Sequence, residues 1–135
     1  MENKSKSKLI RTDLIYPELS YKIIGILFDV YNKLGPGYQE KYYQRAIASA
    51  FRKQRFAFRE QVPIPLIYLE EKIGRYFLDF LIENKIVLEI KRGDRFSRKD
   101  IEQVYAYLKA KKLKLGLLAN LTNRGVKFKR ILNIK

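Results

Sequence analysis

The 135 residues suit one domain around one core, and 47% hydrophobic against 32% charged residues predicts a folded chain rather than a disordered one. Neither cysteine nor histidine occurs. This excludes disulfide frameworks, thiolate or imidazole metal sites and Ser-His-Asp catalysis, so any hydrolysis must use carboxylates, Lys, Tyr or a metal-bound water. The net charge is +15; residues 1–15 hold four bases and two acids, a share of +2, which leaves +13 on the body. A small domain this basic reads as the partner of a polyanion, usually nucleic acid. No apolar run approaches the roughly 18 residues of a membrane span, and the lysine-rich start has no apolar signal region. A cytoplasmic protein with no membrane contact is therefore expected.

Residues 1–15 are predicted to be a flexible basic tail and residues 16–135 a single domain. Ser20 is the expected N-cap of a first helix to Leu34, with Ile23, Ile24, Leu27, Val30, Tyr31 and Leu34 at the helical period. Gly35-Pro36-Gly37 ends it. A second helix, about Gln39 to Gln54, gathers Tyr43, Ala46, Ile47, Ala50 and Phe51 on one side. From Ala57 the pattern turns to β. Residues 57–69 form a strand that Pro63 and Pro65 confine to an edge or a bulge. Residues 73–83 form the next strand, Asn84-Lys85 a tight turn, and residues 86–91 a strand that is apolar on both faces, hence buried between layers. Ser97 and Asp100 fit a capping box opening a helix to about Lys111. Residues 114–120 form a fourth strand, and residues 125–132 suit a short fifth. The order α-α-β-β-β-α-β predicts a mixed central β-sheet flanked by helices, an α/β or α+β sandwich.

Two carboxylates occupy positions that carboxylates avoid. Asp79 lies inside YFLDFLI and Glu89 inside IVLEIK. A bare charge in a buried strand costs several kcal/mol unless it is paired or holds a metal. Pairing with Lys91 or a nearby Arg is the plain structural explanation. The functional one is convergence. Glu89 and Lys91, two apart on one strand, share a face. Asp79 joins them only if the hairpin loop has an odd number of residues. A two-residue turn at Asn84-Lys85 pairs Glu83 with Ile86 and turns Asp79 away. A three-residue connection over 83–85, or a bulge, pairs Ile82 with Ile86 and sets Asp79 opposite Glu89, about 5 Å away at Cβ. Hard oxygen ligands without His or Cys suit Mg²⁺ or Mn²⁺, with the Ile90 carbonyl as a further ligand. Such a metal acidifies a water and stabilises charge on a phosphate, and Lys91 beside it can orient that water, act as base or neutralise the transition state.

Asp79, ten residues, then Glu89-Ile90-Lys91 resembles the PD-(D/E)XK nuclease motif, with Leu78 at the position of the family's Pro. Gly37-Tyr38-Gln39-Glu40-Lys41-Tyr42-Tyr43 is similar to the naming motif of the GxxExxY proteins, a branch of that superfamily. Gln103 and Tyr107, at i and i+4 on the helix after the third strand, resemble the Q-x-x-x-Y signature of the helicase-nuclease branch, although taken alone such a pair is better explained by ordinary packing. LGPG at 34–37, QVPIPL at 61–66 and YLKAKKLKLGLLAN at 107–120 also look like stretches of the GxxExxY family, so the likeness covers roughly residues 19–132. Relatives often carry His near the positions of Tyr31 and Asp100, where this chain has none. The resemblance implies a restriction-endonuclease-like core and metal-dependent hydrolysis of phosphodiester bonds, in DNA rather than RNA. It implies Asp79, Glu89, Lys91 and Glu40 as catalytic residues; Asp79, Glu89, Glu40 and the Ile90 carbonyl as ligands of Mg²⁺ or Mn²⁺; and Gln103 and Tyr107 as substrate contacts.

Arg92, Arg95, Arg98 and Lys99 follow the acid motif directly and read as substrate-binding charge, against the alternative of a solvated loop. Residues 91–114 hold nine bases against three acids, and residues 122–135 five against none. Lys109, Lys111, Lys112 and Lys114 read first as helix C-terminal charge. Tyr38, Tyr42 and Tyr105 are candidates for base stacking. No phosphate-binding glycine loop is present, against an NTPase. A homodimer is compatible with cutting both strands but is not demanded by any residue. The competing reading is a non-catalytic nucleic-acid-binding module retaining the nuclease fold; a basic structural protein of a ribonucleoprotein leaves the buried acids unexplained.

Overall fold

The computed structural model describes residues 15–134. In chain order they form α1 (Pro17–Leu34), α2 (Glu40–Lys53), β1 (Phe58–Tyr68), β2 (Glu71–Ile82), β3 (Ile86–Arg92), α3 (Arg98–Lys111), β4 (Leu115–Leu121) and β5 (Val126–Leu132). The stretch expected as a short fifth strand is a full edge strand. The tail expected over residues 1–15 lies outside the described residues, apart from Ile15, which packs on the core. Among the described residues no helix is long and apolar enough to cross a membrane.

Helix starts follow local chemistry, with one correction. Ser97 caps α3 as expected, its hydroxyl accepting from the Asp100 N–H at 3.0 Å. Ser20 does not cap α1. That helix begins at Pro17, whose fixed φ suits the first turn and whose missing N–H leaves no orphan donor, with Glu18 facing the positive end of the dipole. Ser20 is buried in the first turn and donates its hydroxyl to the Pro17 carbonyl.

The sheet order is β1-β2-β3-β4-β5, antiparallel except for the parallel pair β3–β4 joined through α3. Edge strand β1 accommodates Pro63 and Pro65, since an edge strand leaves one row of N–H positions unpaired. β3 from Ile86 to Ile90 and all of β4 are buried, as a parallel pair covered on both faces must be. α1 and α2 cover one face over a core including Leu27, Phe51, Phe80 and Leu88. α3 covers the other over Leu78, Val87, Val104 and Leu118. Gly116 lets α3 come close: a Cβ there would run into Val104 and Val87.

Two backbone features set up the site. Glu83 and Asn84 take left-handed conformations (φ 56° and 54°), Lys85 is the extra residue, and Ile82 pairs with Ile86. This is the odd-residue register that brings Asp79 level with Glu89. Farther along β2 the pleat switches. Leu78 packs on the α3 side and Phe80, two residues on, on the α1/α2 side; in β1, Phe58 and Val62 are divided in the same way. The switch falls between the pairs Glu60–Phe80 and Val62–Leu78, where Gln61 has φ 53° and Asp79 has no ladder partner. Pairing of β2 with β3 also stops at Phe80–Leu88. Beyond it β1 and β2 run on as a hairpin arm with exposed Ile67, Tyr68, Leu69 and Ile73 near its tip.

Candidate active site

Asp79 stands where the ladder opens, and side chains replace the missing backbone bonds. Its N–H donates to Glu89 Oε1 at 3.0 Å, and its Oδ2 accepts from the Ile90 N–H at 2.7 Å. The two carboxyl groups therefore meet at the fork between β2 and β3, with Asp79 6% and Glu89 5% exposed. Burial pushes Glu89 up to about 8, and the Asp79 charge beside it adds to the shift. Burial likewise raises Asp79; the charge of Glu40 adds to it, while the bond from Ile90 and the charge of Lys91 offset part.

Lys91 supplies the cation. Its Nζ lies 3.5 Å from Glu89 Oε2 and 3.9 Å from Asp100 Oδ1. Burial acts against its charge, but Glu89, Asp100 and Glu40 outweigh burial and hold its pKa above the ordinary value. So the pairing and the clustering readings of the sequence both describe this site: Lys91 pairs with Glu89 within a group that includes Asp79. Asp100, read from sequence only as a helix-capping residue, is a further acid of this environment. Tyr76 is another neighbour that sequence reading missed; burial, then Glu89 and Asp100, push its hydroxyl up to about 12.

The N-terminal half of α2 closes the site from the other face. Gln44 Nε2 donates to Asp79 Oδ1 at 2.8 Å. Its signal was available, because Gln44 is four residues after Glu40 and so on the same helical face. Glu40 Oε2 accepts from the Arg92 N–H at 3.2 Å, which ties α2 to the end of β3. Gly37 and Tyr43 have clear local reasons. Gly37 sits at φ 99°, and the buried Tyr43 donates its hydroxyl to the Gly35 carbonyl and accepts from the Tyr38 N–H. The loop before α2 is thus locked, and Glu40 is delivered to β3.

The remaining candidates separate by exposure. Arg92, Arg95, Arg98 and Lys99 are all exposed, with Arg98 facing Glu102 at 3.9 Å. Gln103 and Lys99 line a groove between α3 and the β1–β2 arm, with Tyr76. Tyr107 is buried in the core under α3, where burial raises its pKa and Arg59 counters. Tyr38, Tyr42 and Tyr105 are exposed. Glu60 faces Arg52 at 4.0 Å on the surface.

The donor chemistry fits a hard divalent cation. Asp79 Oδ1, Asp79 Oδ2 and Glu89 Oε1 each accept one hydrogen bond, which leaves a second lone pair on each. Among the described residues no three acids converge into a ready metal cage, so Glu40 stands beside the pair rather than within it. Two carboxylates with the remaining positions left to carbonyl, water and substrate oxygens is the coordination that Mg²⁺ prefers. The raised carboxyl pKa values have the same meaning: the pair holds two negative charges only at a cost that a cation relieves.

Comparison with known proteins bears on the family and the fold. The sequence profile of the PD-(D/E)XK nuclease superfamily matches residues 17–131. No curated protein sequence matches the chain. A solved structure titled "Crystal structure of SSO0001" superposes with a TM-score of 0.53 at 18% identity, over 71% of this chain and 52% of that one. At that identity the likeness speaks for the fold, and this chain spans about half the length of that protein.

Proposed function

The chain belongs to the PD-(D/E)XK nuclease superfamily, and from that membership and the site's geometry we propose that it is a Mg²⁺- or Mn²⁺-dependent nuclease cutting phosphodiester bonds, in DNA rather than RNA. The observation that carries this reading is the buried Asp79–Glu89 pair with Lys91 3.5 Å away. Asp79, Glu89 and the Ile90 carbonyl would hold the cation, with Glu40 adding negative charge from α2. Such an ion supplies an acidified water and Lewis acidity at a phosphate.

This chain's own residues do the rest. Gln44 and the Ile90 N–H fix both oxygens of Asp79, so that carboxylate needs little reorganisation. Lys91 is held charged by three acids beside the pair. It neutralises the charge that builds there and orients the water. The basic residues Arg92, Arg95, Arg98 and Lys99 hold the strand, and Gln103 contacts it from α3. A place in the GxxExxY branch, a cytoplasmic location and a homodimer for cutting both strands belong to the same proposal.

The test is incubation with linear, circular and single-stranded DNA, with Mg²⁺, with Mn²⁺ and with EDTA. Cation-dependent cleavage is expected, and it disappears in the Asp79→Ala, Lys91→Ala double variant. Cleavage that survives the double substitution overturns the assignment of the site. Salt-sensitive binding without cleavage under any condition identifies a non-catalytic binding module instead.

A further inference from the structure

Parallel pairing of β3 with β4 brings a second segment to the site's end of the sheet. Lys91 is level with Asn120 and Arg92 with Leu121, so the chain leaving β4 emerges beside the chain leaving β3. In open α/β sheets, crevices form outside the carboxyl ends of parallel strands. Here two adjoining clefts occupy that place. One is lined by Gly37, Tyr43, Arg92 and Gly93 together with Asp94, Thr122 and Asn123. The next shares Asp94, Thr122 and Asn123 and adds Arg124 and Lys127.

The walls of these clefts are firmly built. Thr122 Oγ1 accepts from the N–H groups of Arg124 and Gly125 at 3.0 and 3.1 Å, and the Thr122 N–H donates to the Gly125 carbonyl at 2.8 Å. The Tyr31 hydroxyl donates to the Thr122 carbonyl at 2.6 Å, which anchors the turn to α1. The opposite wall is tied to this one. The Gly93 N–H donates to the Leu121 carbonyl at 3.2 Å, Lys127 Nζ to the Asp94 carbonyl at 2.9 Å, and the buried Asn120 amide to the Arg95 carbonyl. The charged side chains are Arg92, Arg124 and Lys127 against Asp94, a net excess of two positive charges in clefts that begin at Arg92, the residue next to Lys91 in the chain.

We propose that this double cleft is a phosphate subsite, which holds the nucleic-acid backbone flanking the bond to be cut through Arg124 and Lys127. The inference rests on the nuclease reading and extends the substrate path to the β4–β5 turn. A fixed turn and strand start presenting Arg124 and Lys127 match a repeating phosphodiester better than a flexible tail does, because less side-chain and loop freedom is lost on binding. Tyr31 then has a role of its own: its hydroxyl holds the turn in register with α1.

The experiment is equilibrium binding of a labelled DNA duplex by the full chain in EDTA, across a series of salt concentrations. Arg124→Gln, Lys127→Gln is expected to weaken binding by about tenfold and to reduce the slope of log affinity against log salt by about two, one per phosphate contact. Arg124→Lys restores most of the affinity. Lys53→Gln, about 20 Å away along α2 from Glu40, changes neither quantity. Inorganic phosphate and a mononucleotide, added as competitors, distinguish a strand site from a free-phosphate site; displacement of DNA at concentrations far below those that ionic strength explains overturns the strand assignment. A double variant with wild-type affinity and slope overturns the subsite alone. A wild-type chain with no affinity for DNA overturns the subsite and the nuclease reading together.

Discussion

The acid pair and the basic rim are neighbours in the chain, since Glu89 and Lys99 are ten residues apart, yet they follow opposite physics. Asp79 and Glu89 are almost fully buried and are bonded to backbone and to Gln44. Arg92, Arg95, Arg98 and Lys99 are exposed and hydrated. Charge in the first region is undiluted by water, so each group changes the ionisation of the next and contributions do not add. Charge in the second is screened within about 10 Å at ordinary salt, so contributions are small, additive and salt-dependent. A site that cuts a polyanion benefits from both arrangements, because the rim offsets the repulsion that bare acids would exert on a phosphate.

The largest expected effect tests the buried side of this contrast. Lys91→Ala should lower the rate of Mg²⁺-dependent cleavage by about 10²–10⁴-fold while leaving DNA affinity within a few-fold. A loss of affinity with unchanged rate would move Lys91 to the rim.

Next in size is a pH effect on stability. Without metal, Glu89 has its pKa raised from 4.5 to about 8 by burial and by Asp79. The folded protein therefore retains a proton that the unfolded chain releases. That stabilising contribution is fully present below about pH 4.5 and is lost as pH rises through about 8. In EDTA, wild-type Tm should fall relative to Glu89→Gln by roughly 5 °C or more between about pH 5 and 8, and Mg²⁺ should reverse much of the difference. Parallel Tm curves for the two proteins would refute the strained acid pair.

The smallest effect sharpens the rim. Ser97→Ala removes the cap of α3 and should destabilise the fold by about 1 kcal/mol in chemical denaturation. Because α3 carries Lys99 and Gln103, DNA affinity should change little unless the helix start frays. A large drop in affinity at constant stability would show that the cap, rather than the charges, positions this edge.

Much of the molecule is legible without its structure, because the controlling signals are local. Hydrophobic period marks α1 and α2, apolar runs mark the central strands, Ser97 marks the start of α3, and the prolines of β1 mark an edge. A strand-interior Asp and Glu followed by Lys announce an acid site, and the odd-residue hairpin follows from requiring the two acids to meet. Where local reading fails, another local signal or a long-range bond decides. Pro17 outcompetes Ser20 as a helix start. Tyr107, whose spacing taken alone favours packing and whose motif suggests substrate contact, is in the core.

The sequence by itself determined the element order, the acid–acid–lysine chemistry and the basic character of the surface, because these depend on residue type and short-range spacing. Only the tertiary structure decided the pleat switch at Gln61 and Asp79, the bond from Gln44, the entry of Asp100 and Tyr76 into the field of Glu89, and the approach of the β4–β5 turn to the site. Each joins residues far apart in sequence through sheet pairing or helix packing, and such contacts leave no period in the chain to be read.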